Sequence, residues 1–237
     1  MEEDGVEELL LSPQESEQWL DMNESKGFAD YGDNTCPKSE YEDDLKKILA
    51  RWDRIARAQN VTYFLTCGTL LGAWRTGGLV PLDKDMDILI ARTDAWKLLR
   101  IQGRHRFNVY DDNYHLYVHK DWSKPYEERQ RFNCNGRQTE KNTDQCSFLE
   151  PFGRLIWRRL HIDIYDYRIQ KGRLIDPSEG YHEFDVHDVF PLRKCLFLGM
   201  EARCPYKSKL FLNSFYGPNL MPNKVCINGS WVKQNEK

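Results

Sequence analysis

The chain has 237 residues, 40% of them hydrophobic, with a formal net charge of −3 at neutral pH. That length allows one large domain with a sizeable core, and the nearly balanced charge excludes the basic footprint of a protein that binds nucleic acid polymers. No stretch approaches the roughly 18 apolar residues that cross a bilayer, and the acidic start Met1-Glu2-Glu3-Asp4 lacks a signal-peptide n-region.

Residues 1–38 are acidic and polar and read as a flexible arm. Ser12 followed by Pro13 predicts a short helix from Pro13 to Met22 within it. The main domain spans 39–222. Ser39 with Glu42 has the spacing of a capping box, and Tyr41, Leu45, Ile48, Leu49, Trp52 and Ile55 follow at helical spacing to about Ala58. Tyr63 to Cys67 predicts a strand that leads into a Gly68-Thr69 turn and a short helix from Leu70 to Arg75, ended by Gly77-Gly78. Met86 to Ala91 predicts the next strand, and Thr93 to Leu99 a helix. Arg106 to Tyr110 and His115 to His119 predict paired strands across Asp111-Asp112-Asn113. Residues 121–148 are polar and irregular; loops of that length are functional or disordered. Strands are expected at Leu155 to Trp157 and His161 to Tyr167, and Gly172 turns into Leu174-Ile175. A hairpin is expected around Gly199, with Cys195 to Leu198 and Met200 to Arg203 as its arms. Lys207 to Tyr216 predicts a last helix, stopped by Gly217 and Pro218, and 223–237 reads as a frayed polar tail. The order predicts an α+β (α/β-like) fold, a mixed central sheet flanked by helices.

The chemistry concentrates in one stretch. An apolar strand begins on Asp85-Met86-Asp87, and alternation places Asp85 and Asp87 on one face. Two carboxylates that close repel each other, and a hard divalent cation, Mg²⁺ or Mn²⁺, relieves the repulsion. The glycine-rich run ahead of them can bring backbone N–H groups against a phosphate. If the strand Ile162-Asp163-Ile164 is a neighbour, Asp163 adds a third acid, as metal ligand or as base for an attacking hydroxyl. Phosphoryl or nucleotidyl transfer suits such a site.

The pattern Thr66-Cys67-Gly68-Thr69, then Asp85-Met86-Asp87, then Ile162-Asp163-Ile164 resembles the nucleotidyltransferase superfamily. The longer run from Gly68 through Gly72-Ala73-Trp74-Arg75 and Pro81-Leu82-Asp83-Lys84-Asp85 to Ile88 is similar to the LicD family, which includes fukutin and fukutin-related protein. Phe190-Pro191-Leu192, Cys204-Pro205 and Phe215-Tyr216-Gly217 resemble that family's closing motif. The resemblance implies a nucleotidyltransferase fold and a metal-dependent phosphotransferase. It would move a phospho-alcohol, of ribitol phosphate or phosphocholine type, from a CDP-linked donor to a hydroxyl of a glycan or glycoprotein acceptor. It implies that Gly68 and Thr69 line the nucleotide phosphates, that Asp85, Asp87 and Asp163 hold the metal, and that Arg75 contacts donor or structure. Lys84 stands where the family commonly has another acid. Animal relatives work in the Golgi lumen behind an anchor. This chain shows no signal or anchor, which would make it cytoplasmic if it is complete.

Other residues stay open to plainer readings. Asp166 competes with Asp163, but alternation puts it on the opposite face. Arg158 and Arg159 either clamp a phosphate or cover a surface. His161 shares the face of Asp163 and reads as a polar wall residue, and Cys67 as a core residue on its strand. The cysteines number seven. A family member carries a zinc-binding loop, but Cys134, Cys146, Cys204 and Cys226 match no zinc motif, and Cys134 with Cys146 form a disulfide in an oxidising compartment. Asn23-Glu24-Ser25, Asn60-Val61-Thr62 and Asn228-Gly229-Ser230 are glycosylation sequons if the chain enters a secretory lumen. Two other functions use the same residues: transfer of a whole nucleotide to a protein or small molecule, and an inactive relative that binds a glycan or a partner enzyme.

Overall fold

The computed structural model describes residues 15–21, 35–36, 39–102, 114–177 and 181–233. In chain order the elements are β1 (Glu15–Trp19), α1 (Glu42–Gln59), β2 (Tyr63–Leu65), α2 (Cys67–Thr76), β3 (Met86–Ala91), α3 (Ala95–Ile101) and β4 (His115–Val118). The two short strands β5 (Arg131–Phe132) and β6 (Gln138–Thr139) follow, then β7 (Gly153–Trp157), β8 (Leu160–Gln170), β9 (Arg173–Asp176) and β10 (His182–Asp185). The chain closes with α4 (Val186–Val189), β11 (Leu192–Phe197), β12 (Met200–Cys204), α5 (Ser208–Tyr216), β13 (Lys224–Ile227) and β14 (Ser230–Lys233).

The sheet that carries the acids is mixed, as the α+β reading expects. β3 lies antiparallel to β2 and parallel to β8, and β7 continues antiparallel on the other side of β8 with β4 beyond it. β8 is long enough to leave this layer: its last residues, Arg168 to Gln170, pair with β9, which pairs with β10. β3 reads Met86-Asp87-Ile88-Leu89-Ile90-Ala91, and its apolar side chains are fully buried at Met86, Ile88, Leu89 and Ile90. A strand buried on both faces reads as a near-continuous apolar run, which is why its limits were visible in the sequence.

α1 lays its apolar stripe on β7 and β8, with Leu45, Ile48, Leu49 and Trp52 fully buried. Its N-terminus is not the expected capping box: Tyr41 is the N-cap, and no side chain caps the helix. The Ser39 hydroxyl instead accepts from the Tyr41 N–H (3.3 Å). α2 packs on β3 and α5, and the second sheet, β1-β11-β12, sits against α2 through β11 and against β2 through β12.

Several expectations need correction. Pro13 to Met22 is not a helix in its described part: Glu15–Trp19 is a strand, parallel to β11, and Leu20 N–H continues the ladder to the Lys194 carbonyl (2.7 Å). The arm is therefore docked there, and Cys36 ties it again through a disulfide to Cys226 on β13. The tail beyond Pro222 is not frayed over 224–233, where β13 and β14 form a hairpin. β4 pairs with β7, and the strand expected at Arg106 to Tyr110 lies outside the described residues. Thr93 is not a cap; a 3₁₀ turn over Arg92–Asp94 precedes α3.

Two further disulfides join Cys134 to Cys146 and Cys195 to Cys204, so all four cysteines weighed as zinc ligands are disulfide-bonded. The first closes the long polar segment, whose Cys146 and Phe148 pack on Tyr117 and Ile156. Asp144 organises it, accepting from the N–H groups of Cys134 (2.8 Å) and Cys146 (3.0 Å) and the Ser147 hydroxyl (2.8 Å). The Cys36–Cys226 bridge closes a loop of 190 residues, and long loops lose the most chain entropy when cross-linked. Replacing both cysteines by alanine is expected to lower stability by about 2–4 kcal/mol, read as a shift in the urea midpoint. An unchanged midpoint would show that the bridge adds nothing to the fold.

Candidate functional site

The site is built where β2 runs into α2. Thr66 is extended and Cys67 is left-handed (φ 47°), so the chain turns sharply and the helix starts at Cys67 rather than Leu70. Cys67 is therefore a turn residue at the head of α2 and does not extend β2. Gly68 and Thr69 fall in the first helical turn. The Thr69 hydroxyl accepts from the Asp87 N–H (2.7 Å), and the Thr66 N–H donates to the Asp87 carbonyl (3.2 Å). The expected phosphate-lining residue Thr69 thus fixes the backbone of the acid strand.

α2 also positions the segment that returns to the acids. A Cβ at Gly72 would overlap the Gly78 carbonyl oxygen and lie 3.0 Å from the Val80 nitrogen. Only glycine lets residues 78–80 cross the helix this closely. Gly77, left-handed at φ 74°, ends the helix with its N–H on the Ala73 carbonyl. Arg75 is buried and donates to the Leu220 carbonyl (Nε 2.9 Å), pinning the chain after α5 onto α2.

Asp163 stands beside Asp87 in the parallel β3–β8 register, so the third acid joins the first two as the strand reading required. The carboxylates face two ways. Asp85 turns toward β8, its Oδ2 3.8 Å from His161 Nε2, which is 3.4 Å from Asp163 Oδ1. Ligand atoms of Asp85, His161 and Asp163 all lie within 4.8 Å of one another. Asp87 turns toward α2: its Oδ2 lies 3.9 Å from where a Gly68 Cβ would sit, with Asp83 Oδ2 at 3.2 Å and the Tyr216 hydroxyl at 4.0 Å from the same point. Gly68 therefore leaves open a niche rimmed by oxygens.

Burial pushes the Asp87 carboxyl well above the usual range, and Asp163, Asp85 and Asp83 push the same way. Asp83 is pushed up to about 6 by burial and by Asp85. For Asp163 burial also raises the pKa, opposed by Arg154, whose guanidinium forks onto it (Nε to Oδ1 2.6 Å, NH2 to Oδ2 3.2 Å). Burial and Arg154 lower His161 to about 4, leaving a neutral imidazole with its Nε2 toward the two acids. A crowded set of carboxylate oxygens with one neutral imidazole suits a hard divalent cation.

Asp166 lies across the sheet from Asp163 and pairs with Arg92 (2.9 Å). Arg158 stacks on Trp157 (4.4 Å) and reaches Asp44 (3.7 Å), a surface arrangement. Lys84 is exposed, its ammonium 6.0 Å from the Tyr41 ring. Four residues of the site carried a weak signal or none. Asp83 shares the 83-85-87 alternation and His161 the face of Asp163. Tyr216 sits in the closing motif, whereas Arg154 becomes visible only through the β7–β8 register that sets it opposite Asp163.

A family model for the LicD/FKTN/FKRP nucleotidyltransferase domain matches residues 60–207. The chain belongs to the LicD family. The LicD match runs from the approach to β2 through β12 and takes in Gly68, Thr69, the four acids, Arg154 and His161. The chain is similar to human ribitol 5-phosphate transferase FKRP, 26% identical over 173 residues, and to the mouse protein of that name, 25% identical over the same length. Each comparison covers 71% of this chain and 30% of the relative, so the chain spans about a third of the length of these curated LicD relatives.

Two outcomes are expected of the site. Arg154→Met strands a buried carboxylate and should cost on the order of 3 kcal/mol, with part regained in Arg154→Met/Asp163→Asn; equal losses in both variants would show that the pair is not the cause. In chelator, Asp83 binds its proton more tightly folded than unfolded, so it favours folding at low pH, and this is lost as pH rises from about 4 through about 6. Asp83→Asn should therefore raise the melting temperature at pH 7.5 and leave it nearly unchanged at pH 4.5.

Proposed function

We propose that this chain is a metal-dependent phosphotransferase that moves a phospho-alcohol, of ribitol phosphate type, from a CDP-linked donor to a hydroxyl of a glycan or glycoprotein acceptor. The observation that carries the reading is the gathering of Asp85, Asp87, Asp163 and His161 around the head of α2, within a LicD domain. The ribitol group follows the names of the FKRP relatives; the CDP donor, the Golgi or secretory lumen and the Mg²⁺ or Mn²⁺ dependence follow the family resemblance.

In this reading Asp85, Asp163 and His161 hold the cation, with Asp87 completing the acid face. A bound divalent cation neutralises phosphate charge and polarises the phosphoryl oxygens. The protein's own residues do the positioning on which phosphoryl transfer mostly depends. Thr69 locks the strand under Asp87, and the niche at Gly68 admits donor phosphate oxygens. Arg154 holds Asp163 in a fixed rotamer, as bidentate guanidinium–carboxylate pairs do. The acceptor hydroxyl forms a bond to the phosphorus that bears the alcohol, and the bond from that phosphorus to the bridging oxygen breaks. CMP leaves with that oxygen, and the hydroxyl proton goes to Asp87, the acid outside the cation set, whose carboxyl burial makes more basic.

The test incubates the chain with CDP-ribitol, CDP-choline or CDP-glycerol, a glycan mixture and Mn²⁺, and follows CMP. Metal-dependent release is expected, fastest with CDP-ribitol, and reduced about 100-fold or more in Asp85→Asn. Release that ignores chelator or Asp85→Asn would sink the proposal, and pyrophosphate from a nucleoside triphosphate would point to nucleotide transfer instead.

A further inference from the structure

We propose, on the lumenal placement of the preceding reading, that Asn60 and Asn228 are N-glycosylated. Six of the seven cysteines are paired in disulfides, and only Cys67 is free. The pairs lie 190, 12 and 9 residues apart, so none is the short two-residue motif of a redox enzyme. One joins the N-terminal arm to the last hairpin, one closes the strap over Tyr117, and one crosses the β11–β12 hairpin. Structural bridges of this kind persist where the surroundings are oxidising, and reducing compartments keep such thiols free.

That compartment is where sequons become acceptors. Asn60 ends α1 in the left-handed conformation (φ 51°, ψ 51°) and is exposed, while Val61 behind it is buried. The helix stops there and the chain turns into β2; Lys97 of α3 holds the Asn60 backbone carbonyl (2.5 Å), and the residue remains exposed. Asn228 (φ 49°) and Gly229 (φ 77°) form the two-residue tip of the β13–β14 hairpin, and Asn228, Gly229 and Ser230 are all exposed. A type I′ hairpin turn explains both positive φ values, and the Gly229 N–H donates to the Thr35 hydroxyl of the arm (2.6 Å) while the three residues stay exposed.

A glycan at Asn60 leaves the acid site open. Tyr63, at the start of β2, pairs with Ile90, whereas Leu65 at its end pairs with Ile88 beside Asp87. Asn60 thus lies at the end of the sheet opposite the carboxylates. In the modification the Asn side-chain nitrogen bonds the anomeric carbon of a lipid-linked oligosaccharide diphosphate. The bond from that carbon to the diphosphate oxygen breaks, the lipid diphosphate leaves, and the amide gives up one proton.

The test does not depend on transferase activity. The protein is isolated from the cells that make it, alkylated without reductant, digested, and treated with peptide N-glycosidase in heavy-oxygen water before mass spectrometry. Asn60 and Asn228 are expected as aspartates carrying heavy oxygen, and Cys67 as the alkylated cysteine. Unlabelled asparagine at both positions overturns the proposal, as does alkylation of all seven cysteines. Label at one position alone assigns that site and overturns the other. Asn60→Gln and Asn228→Gln are each expected to remove one glycan from the intact mass and leave the other.

Discussion

Two buried strands run parallel with an aspartate at the same register on each, and the site is arranged around the repulsion between them. Asp87 and Asp163 are partners across β3 and β8, and Asp85 and Asp83 add charge from the segment ahead. Burial raises the pKa values of Asp83, Asp87 and Asp163, and for Asp83 and Asp87 the neighbouring carboxylates add to it. The protein offsets one of them itself. Arg154 sits opposite Asp163 on β7 and takes both of its oxygens, and it also donates to the Gln145 carbonyl (3.0 Å) and lies over Phe148 (4.5 Å). The neutralised acid is thereby fastened to the disulfide-closed strap. Among the described residues Asp85 and Asp87 have no such guanidinium; the Asp85 side chain is exposed, and Asp87 faces Gly68 together with Asp83.

The acids hold this arrangement because α2 is clamped at both ends. At its head, the Thr69 hydroxyl and the Thr66 N–H hold the backbone of Asp87. Along its length, the absent side chain at Gly72 lets residues 78–80 fold back closely enough to start β3 beside α2. At its tail, Arg75 grips the Leu220 carbonyl and Gly77 hydrogen-bonds to the β11–β12 turn, its carbonyl accepting from Leu198 N–H (2.8 Å). One short helix thus connects the acid sheet, the second sheet and the chain end, and removing a buried partner anywhere along it costs more than the lost bond alone.

The sequence disclosed elements whose information is local and withheld those whose information is tertiary. β3 and the body of α1 were legible because burial on both faces or one stripe writes a run or a period into the residues. Asp85, Asp87 and Asp163 followed from alternation along their own strands. β1 was misread because its five residues are strand only through pairing with β11, and Ser-Pro signals cannot report a partner nearly 180 positions away. The last hairpin is a different case: Asn228-Gly229 between Val225-Cys226-Ile227 and Trp231-Val232 is a local turn signal, and reading the segment as a polar tail passed over it. Cys67 was placed on β2 because its left-handed turn, uncommon for a residue with a side chain, leaves no mark in composition.

His161 shows how a plain reading and a functional one converge. Alternation put it on the face of Asp163, where a half-buried histidine is most simply a wall residue. The proposed reading gives it a second role. Burial and the adjacent Arg154 keep the ring neutral, and a neutral ring presents a lone pair on the nitrogen that carries no proton. The Nε2 atom is the one within reach of both Asp85 and Asp163. Arg154 therefore acts on the site twice: it holds Asp163 in place, and its charge adds to the burial that keeps the neighbouring imidazole neutral. On the proposed reading Asp85, Asp163 and His161 then present oxygen and nitrogen acceptors to one divalent ion.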